Sequence, residues 1–67
     1  MVKIKVSNRI KDVLEKQGKT QTWLAEKLEV EFITVNRYAN NHTQPPLEVL
    51  GKIADLLGVK VKDLIND

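Results

Sequence analysis

Residues Gln21 to Asn40 read QTWLAEKLEVEFITVNRYAN. Leu24, Ala25 and Leu28 fall on one helical stripe and predict a helix over about Gln21 to Leu28, with Thr20 placed to cap it. A short break at Glu29-Val30 follows. A second helix then runs over about Phe32 to Asn40, and Val35 and Tyr38 face inward at a spacing of i, i+3.

Upstream of this pair, Ile10, Val13 and Leu14 keep helical spacing and predict a first helix running to about Gln17. Ser7 or Asn8 can cap it, Lys16 suits the negative end of its dipole, and Gly18 ends it. Before that, Val2-Lys3-Ile4-Lys5-Val6 alternates strictly. It reads as a short strand or an extended basic arm, or else as a frayed terminus. Downstream, Asn40-Asn41-His42-Thr43-Gln44-Pro45-Pro46 is a polar loop, and Pro46 suits the first turn of the next helix. That helix carries Leu47, Leu50, Ile53, Ala54 and Leu57 on one face and closes at Gly58. Val59 and Val61 read as extended, and Lys62 to Ile65 as a last short turn around Leu64. The reading is an all-α, compact bundle of five short helices forming a single domain over residues 1–67, without internal repeat or low-complexity tract.

Composition narrows the function classes. At 67 residues, most apolar side chains must share one core. There is no cysteine for disulfides or thiolate metal sites, and no apolar run nears the roughly 18 residues that span a bilayer. MVKIKV has no hydrophobic block of the kind a signal peptide needs, so a cytoplasmic location is expected. No catalytic set is visible: the chain has one histidine, no glycine-rich phosphate loop and no paired metal ligands. Carboxylates alternate with lysines, as in Lys11-Glu15 and Glu26-Lys27, and look like solvated faces. The expectation is a protein that is not an enzyme, with no cofactor, no metal, no small-molecule ligand and no membrane partner. A net charge of +2, from 11 cations and 9 anions, is compatible with nucleic acid without arguing for it.

The stretches NRIKDVLEKQGKTQTWLAEKL, VNRYANN and QPPLEVLGKIADLLGVKVKDLI occur in an order and spacing that resembles the phage repressor and Cro type of helix-turn-helix, the XRE family. The resemblance runs from Asn8 to Ile65 and implies a lambda-repressor-like DNA-binding domain, with residues 21–40 as its helix-turn-helix unit. Ala25 is the small residue where the two helices approach closely. Val30 is the apolar turn residue pointing into the core, and Val35, extended by Tyr38, packs the second helix of the pair back. The chain departs from the family at three places. Glu29 stands where glycine is usual, and a non-glycine residue held left-handed costs on the order of 1–2 kcal/mol, a cost that a turn of another shape would avoid. Glu31 stands where Ser or Thr commonly caps the recognition helix, and Phe32 and Ile33 replace polar residues at its start.

The resemblance implies a transcriptional regulator, such as a repressor, that places the helix around 32–40 in the major groove of double-stranded DNA. Phe32, Ile33, Asn36 and Arg37 are then the candidates for base contact: amide to adenine, guanidinium to guanine or phosphate, apolar groups to thymine methyls. One of the two apolar residues could instead fold inward, Ile33 more readily than Phe32. Thr20, Gln21 and Thr22, at the start of the preceding helix, and Asn40, Asn41, His42 and Thr43, after the recognition helix, are candidates for the DNA backbone. Asn40 and Asn41 also suit turn chemistry. Trp23 lies beside the buried stripe and suits partial packing against the first helix. A recognition helix reads few bases, so a homodimer on a palindromic operator is expected, joined through Val59 to Ile65 or through edge pairing of Val2 to Val6. The rival reading is an antitoxin-like or other protein-interaction module on the same fold, with Phe32, Ile33 and Trp23 touching protein.

Overall fold

The computed structural model describes residues 7–66, and of Asn66 only the backbone. In chain order the elements are strand β1 (Ser7–Asn8), helices α1 (Ile10–Lys16), α2 (Gln21–Leu28), α3 (Phe32–Ala39) and α4 (Leu47–Leu57), a 3-10 turn (Val61–Leu64) and strand β2 (Ile65–Asn66). The expected arm or strand over residues 1–6 lies outside the described residues.

Each α-helix ends in the same way. Gly18, Glu29, Asn41 and Gly58 all take positive φ, between 58° and 66°. In each case the N–H of the left-handed residue donates to the carbonyl three back, and the next N–H donates to the carbonyl five back. The pairs are Gly18 to Glu15 with Lys19 to Leu14, Glu29 to Glu26 with Val30 to Ala25, Asn41 to Tyr38 with His42 to Arg37, and Gly58 to Asp55 with Val59 to Ala54. This double closure satisfies carbonyls that a helix end would otherwise leave unpaired. Glu29 therefore takes the left-handed angle itself, at φ 58° and ψ 42°, and the turn keeps the shape that glycine would give it.

The helix starts are less uniform. Thr20 caps α2 as expected, its hydroxyl oxygen accepting from the Trp23 N–H at 3.0 Å. Arg9 flanks α1 and makes no side-chain cap, while the Asn8 Oδ1 accepts from the Ile10 N–H at 3.1 Å. Pro46 sits just ahead of α4 rather than inside its first turn, and its carbonyl accepts from the Leu50 N–H at 2.8 Å.

The core gathers Ile10 and Leu14 of α1, Leu24 and Ala25 of α2, Val35 of α3, Leu50, Ile53, Ala54 and Leu57 of α4, and Leu64. Val13, Trp23, Leu28, Tyr38 and Val59 pack on it while half-buried. Four expectations need correction. Among the described residues there are four α-helices, and the last expected helix is a 3-10 turn that begins at Val61 instead of leaving Val61 extended. Ile65 belongs to β2, which pairs antiparallel with β1 in the register Ser7 to Asn66 and Asn8 to Ile65. Leu47, though in phase with Leu50, is 75% exposed, because the first turn of α4 runs past the edge of the core. Val30 is 39% exposed and outside the core cluster, which takes Leu28 before it and Val35 after it.

Candidate nucleic-acid interface

Helix α3 divides cleanly. Val35 and Ala39 are buried and Tyr38 is half-buried, so one side faces α2 and the core. The other side carries Ile33, Asn36, Arg37 and, one residue past the helix, Asn40, spaced so that they line a single ridge, and Phe32 stands exposed at the border, in phase with Ala39 but at the open first turn. Phe32 is 50% and Ile33 53% exposed. The preference for Ile33 turning inward is thus corrected: the inward side is already filled by Val35, Ala39 and Tyr38, and Ile33 lies across the helix from them. Arg37 is exposed. Glu31, ahead of the helix, makes no side-chain cap, and the first turn is closed by its carbonyl, which accepts from the Thr34 N–H at 3.0 Å.

A chain of carboxamides runs along the ridge. The Asn36 Nδ2 donates to the Gln21 Oε1 at 3.0 Å, and the Asn40 Nδ2 donates to the Asn36 Oδ1 at 3.2 Å. An amide has two N–H donors and two oxygen lone pairs. These bonds leave Asn36 one of each, held in a fixed direction by Gln21 at the start of α2. That donor and acceptor pair is what an adenine edge requires.

One open concavity lies along the ridge and another at the start of α2. The first, of about 450 Å³, is lined by Ile33, Asn36, Arg37, His42 and Thr43. The Arg37 carbonyl accepts from both the His42 N–H, at 2.9 Å, and the Thr43 N–H, at 3.4 Å, so the loop is folded back against the end of α3. The other, of about 270 Å³, is lined by Lys11, Leu14, Glu15, Lys19, Thr20 and Gln21. Gln21 lines the second and Asn36 the first, so their hydrogen bond joins the two. Thr20 and Thr22 are exposed beside Gln21. Trp23 packs half-buried on the core, with the Lys19 Nζ 4.5 Å from its ring centroid.

Asn41 is placed differently from its neighbours. Its Oδ1 accepts from the Asn8 N–H at 2.7 Å and from the Gln44 Nε2 at 2.9 Å, so its side chain ties the loop to the start of the described chain. The sequence reading did not single out Lys19 or Gln44, took Lys11 only as part of a solvated face and took Asn8 only as a cap for the first helix. Lys11 and Lys19 sit on the approach to α2, on either side of the Gly18 stop, and only the bend there brings them to one concavity. Asn8 and Gln44 are 36 residues apart, and no local pattern joins them. Among the described residues no group of three or more His, Cys, Asp or Glu is placed to hold a metal ion, and no helix is long and apolar enough to cross a membrane.

Comparison with known proteins agrees with the helix-turn-helix arrangement of α2 and α3. Residues 10–64 match a family model described as Helix-turn-helix. The chain is 42% identical to a protein of Bacteroides fragilis named provisionally as DNA-binding, whose crystal structure matches with a TM-score of 0.91 over 92% of this chain and 100% of that one. Among curated proteins, none matches.

Proposed function

We propose, from the premise that the chain belongs to the helix-turn-helix family in its XRE type, that it is a sequence-specific regulator of transcription, without enzymatic activity, acting on double-stranded DNA in the cytoplasm. The observation that carries this reading is the outward ridge of α3, where Phe32, Ile33, Asn36 and Arg37 stand clear of a core already complete without them. A ridge of this kind fits the major groove with its first half toward the bases. Asn36 takes adenine through its spare N–H and lone pair, and Arg37 takes guanine or a phosphate. Phe32 and Ile33 bury apolar surface against thymine methyls. Thr20, Gln21 and Thr22 meet one backbone stretch at the start of α2, helped by Lys11 and Lys19. Asn40, His42 and Thr43 meet another, and Asn41 serves by shaping the loop that carries them. Two copies on a palindromic operator supply the specificity that one ridge lacks. The resemblance of 92% of the chain to a B. fragilis protein named for DNA binding supports the same conclusion.

Selection of bound sequences from a random duplex pool tests this reading. A palindromic consensus is expected, with Asn36→Ala and Arg37→Ala each changing the preferred bases by roughly 1–3 kcal/mol of discrimination. Affinity should fall steeply as salt rises from about 50 to 200 mM, because cations return to the phosphates. Uniform weakening without changed preference would make both residues backbone contacts. Absence of binding to any duplex at low salt would favour a protein partner for Phe32 and Ile33 instead.

A further inference from the structure

Asn8 is the buried polar residue of the described chain, 8% exposed, and its side chain is fully engaged. The Nδ2 donates to the Tyr38 carbonyl at 2.7 Å and to the Gln44 Oε1 at 2.8 Å, while the Oδ1 accepts from the Ile10 N–H at 3.1 Å. Its backbone is drawn into the same knot. The Asn8 N–H donates to the Asn41 Oδ1 at 2.7 Å, the Asn41 Nδ2 donates to the Asn8 carbonyl at 3.4 Å, and the Gln44 Nε2 closes the ring on the Asn41 Oδ1 at 2.9 Å. We propose that Asn8 is a positioning residue for DNA binding, whose carboxamide fixes the Asn41–Gln44 loop so that His42 and Thr43 meet a phosphate beside Arg37; this rests on the DNA-binding reading.

Folding alone does not call for the pattern. Capping of α1 uses only the Asn8 oxygen, and the strand is already held by its pairing with β2 and by the Arg9 N–H on the Leu64 carbonyl at 2.8 Å. Both amide hydrogens are directed elsewhere, to the end of α3 and to the loop after it. Backbone bonds from the Asn40, Asn41, His42 and Thr43 N–H groups to carbonyls of α3 hold one side of that loop, and Asn8 holds the Asn41 and Gln44 side chains on the other. Residues 40 to 44 are all exposed, and Asn41 is left-handed without being glycine. Left free, it would lose conformational entropy on meeting a phosphate, whereas a loop already ordered by Asn8 does not. Neither Asn8 nor Gln44 lines the concavity formed by Ile33, Asn36, Arg37, His42 and Thr43, so the clamp leaves that surface to the phosphate.

The test uses the full chain and its selected duplex, with affinity measured against salt for the native protein, Asn8→Ser and Gln44→Ala. Serine keeps a neutral oxygen able to accept from the Ile10 N–H and removes the two amide donors. Gln44→Ala removes the other side of the clamp from an exposed position. His42 and Thr43 meet the phosphate as uncharged donors, so Asn8→Ser should weaken binding roughly tenfold at about 100 mM salt while leaving the slope of log affinity on log salt, which is set by Lys and Arg, unchanged. Gln44→Ala should do the same to a smaller degree, and the base preference should be unchanged in both. Circular dichroism melts establish that each variant is folded at the temperature of measurement. If Asn8→Ser does not fold, Gln44→Ala decides alone. Unchanged affinity in a folded variant overturns the positioning role, as does a further tenfold loss when Asn8→Ser is added to a variant already carrying His42→Ala and Thr43→Ala, since the role acts only through those two residues. A changed base preference also overturns it, because Asn8 would then be acting on the orientation of α3. Native protein that binds no duplex overturns the DNA-binding reading and this inference with it.

Discussion

Glu29 holds a left-handed conformation with its side chain in solvent, so the strain there is not offset by any packing of its own. Glu29→Gly should therefore raise the unfolding free energy by up to about 1 kcal/mol, somewhat reduced by the added freedom of the unfolded chain. In a domain this small that is a rise of up to about 4–8 °C in the melting midpoint, measured by circular dichroism. Leu47 makes the opposite point about apolar residues. At 75% exposure, Leu47→Gln should leave stability within about 0.5 kcal/mol of native in urea titration. Leu50→Ala, three residues on and buried, should cost about 2–5 kcal/mol. Periodicity puts both residues on one face, and it cannot tell where the neighbouring elements stop. The same limit explains Val30 and Ile33: their apolar character was plain, but whether room remained for them inside depended on Leu28, Val35 and Ala39 having filled it.

At the scale of the element, the chain is divided by its helix stops. Two of them, Gly18 and Gly58, were visible because glycine takes positive φ without cost. The stop at Glu29 was placed correctly only through the apolar pattern around it, and nothing in a glutamate announces the angle it adopts. The start of α2 was legible for a local reason, since a threonine three residues before the N–H it caps needs no distant partner. Thr20→Ala should lower stability by about 1 kcal/mol through loss of that bond, seen as a lower midpoint in urea. The outward ridge of α3 was legible too, because Val35 and Tyr38 fix which side is inward and Asn36 and Arg37 follow by phase. The bond from Gln21 to Asn36 was not, since it depends on how two helices cross.

For the molecule as a whole, stability rests on a core assembled from both ends of the chain, with Ile10 near one and Leu64 near the other, each without exposed surface. A core in a domain below about 70–80 residues rarely supplies more than about 3–5 kcal/mol, and truncating a buried leucine costs about 2–5 kcal/mol. Leu64→Ala should thus leave much of the chain unfolded at room temperature, with most helical ellipticity lost, although Leu64 lies in a turn of only one short 3-10 segment. Long-range contacts of this kind, like the knot of Asn8 with Asn41 and Gln44, are set by topology and leave no periodic trace in the sequence. The pairing of Ser7 with Asn66 carries one more consequence. The described segment comes back to where it starts, so its path from Ser7 to Asn66 is almost a ring. A short linker from Asn66 to Ser7 would circularise that segment, and new ends could then be cut elsewhere without moving the α3 ridge. A graft ahead of Ser7 and one behind Asn66 would depart from neighbouring points.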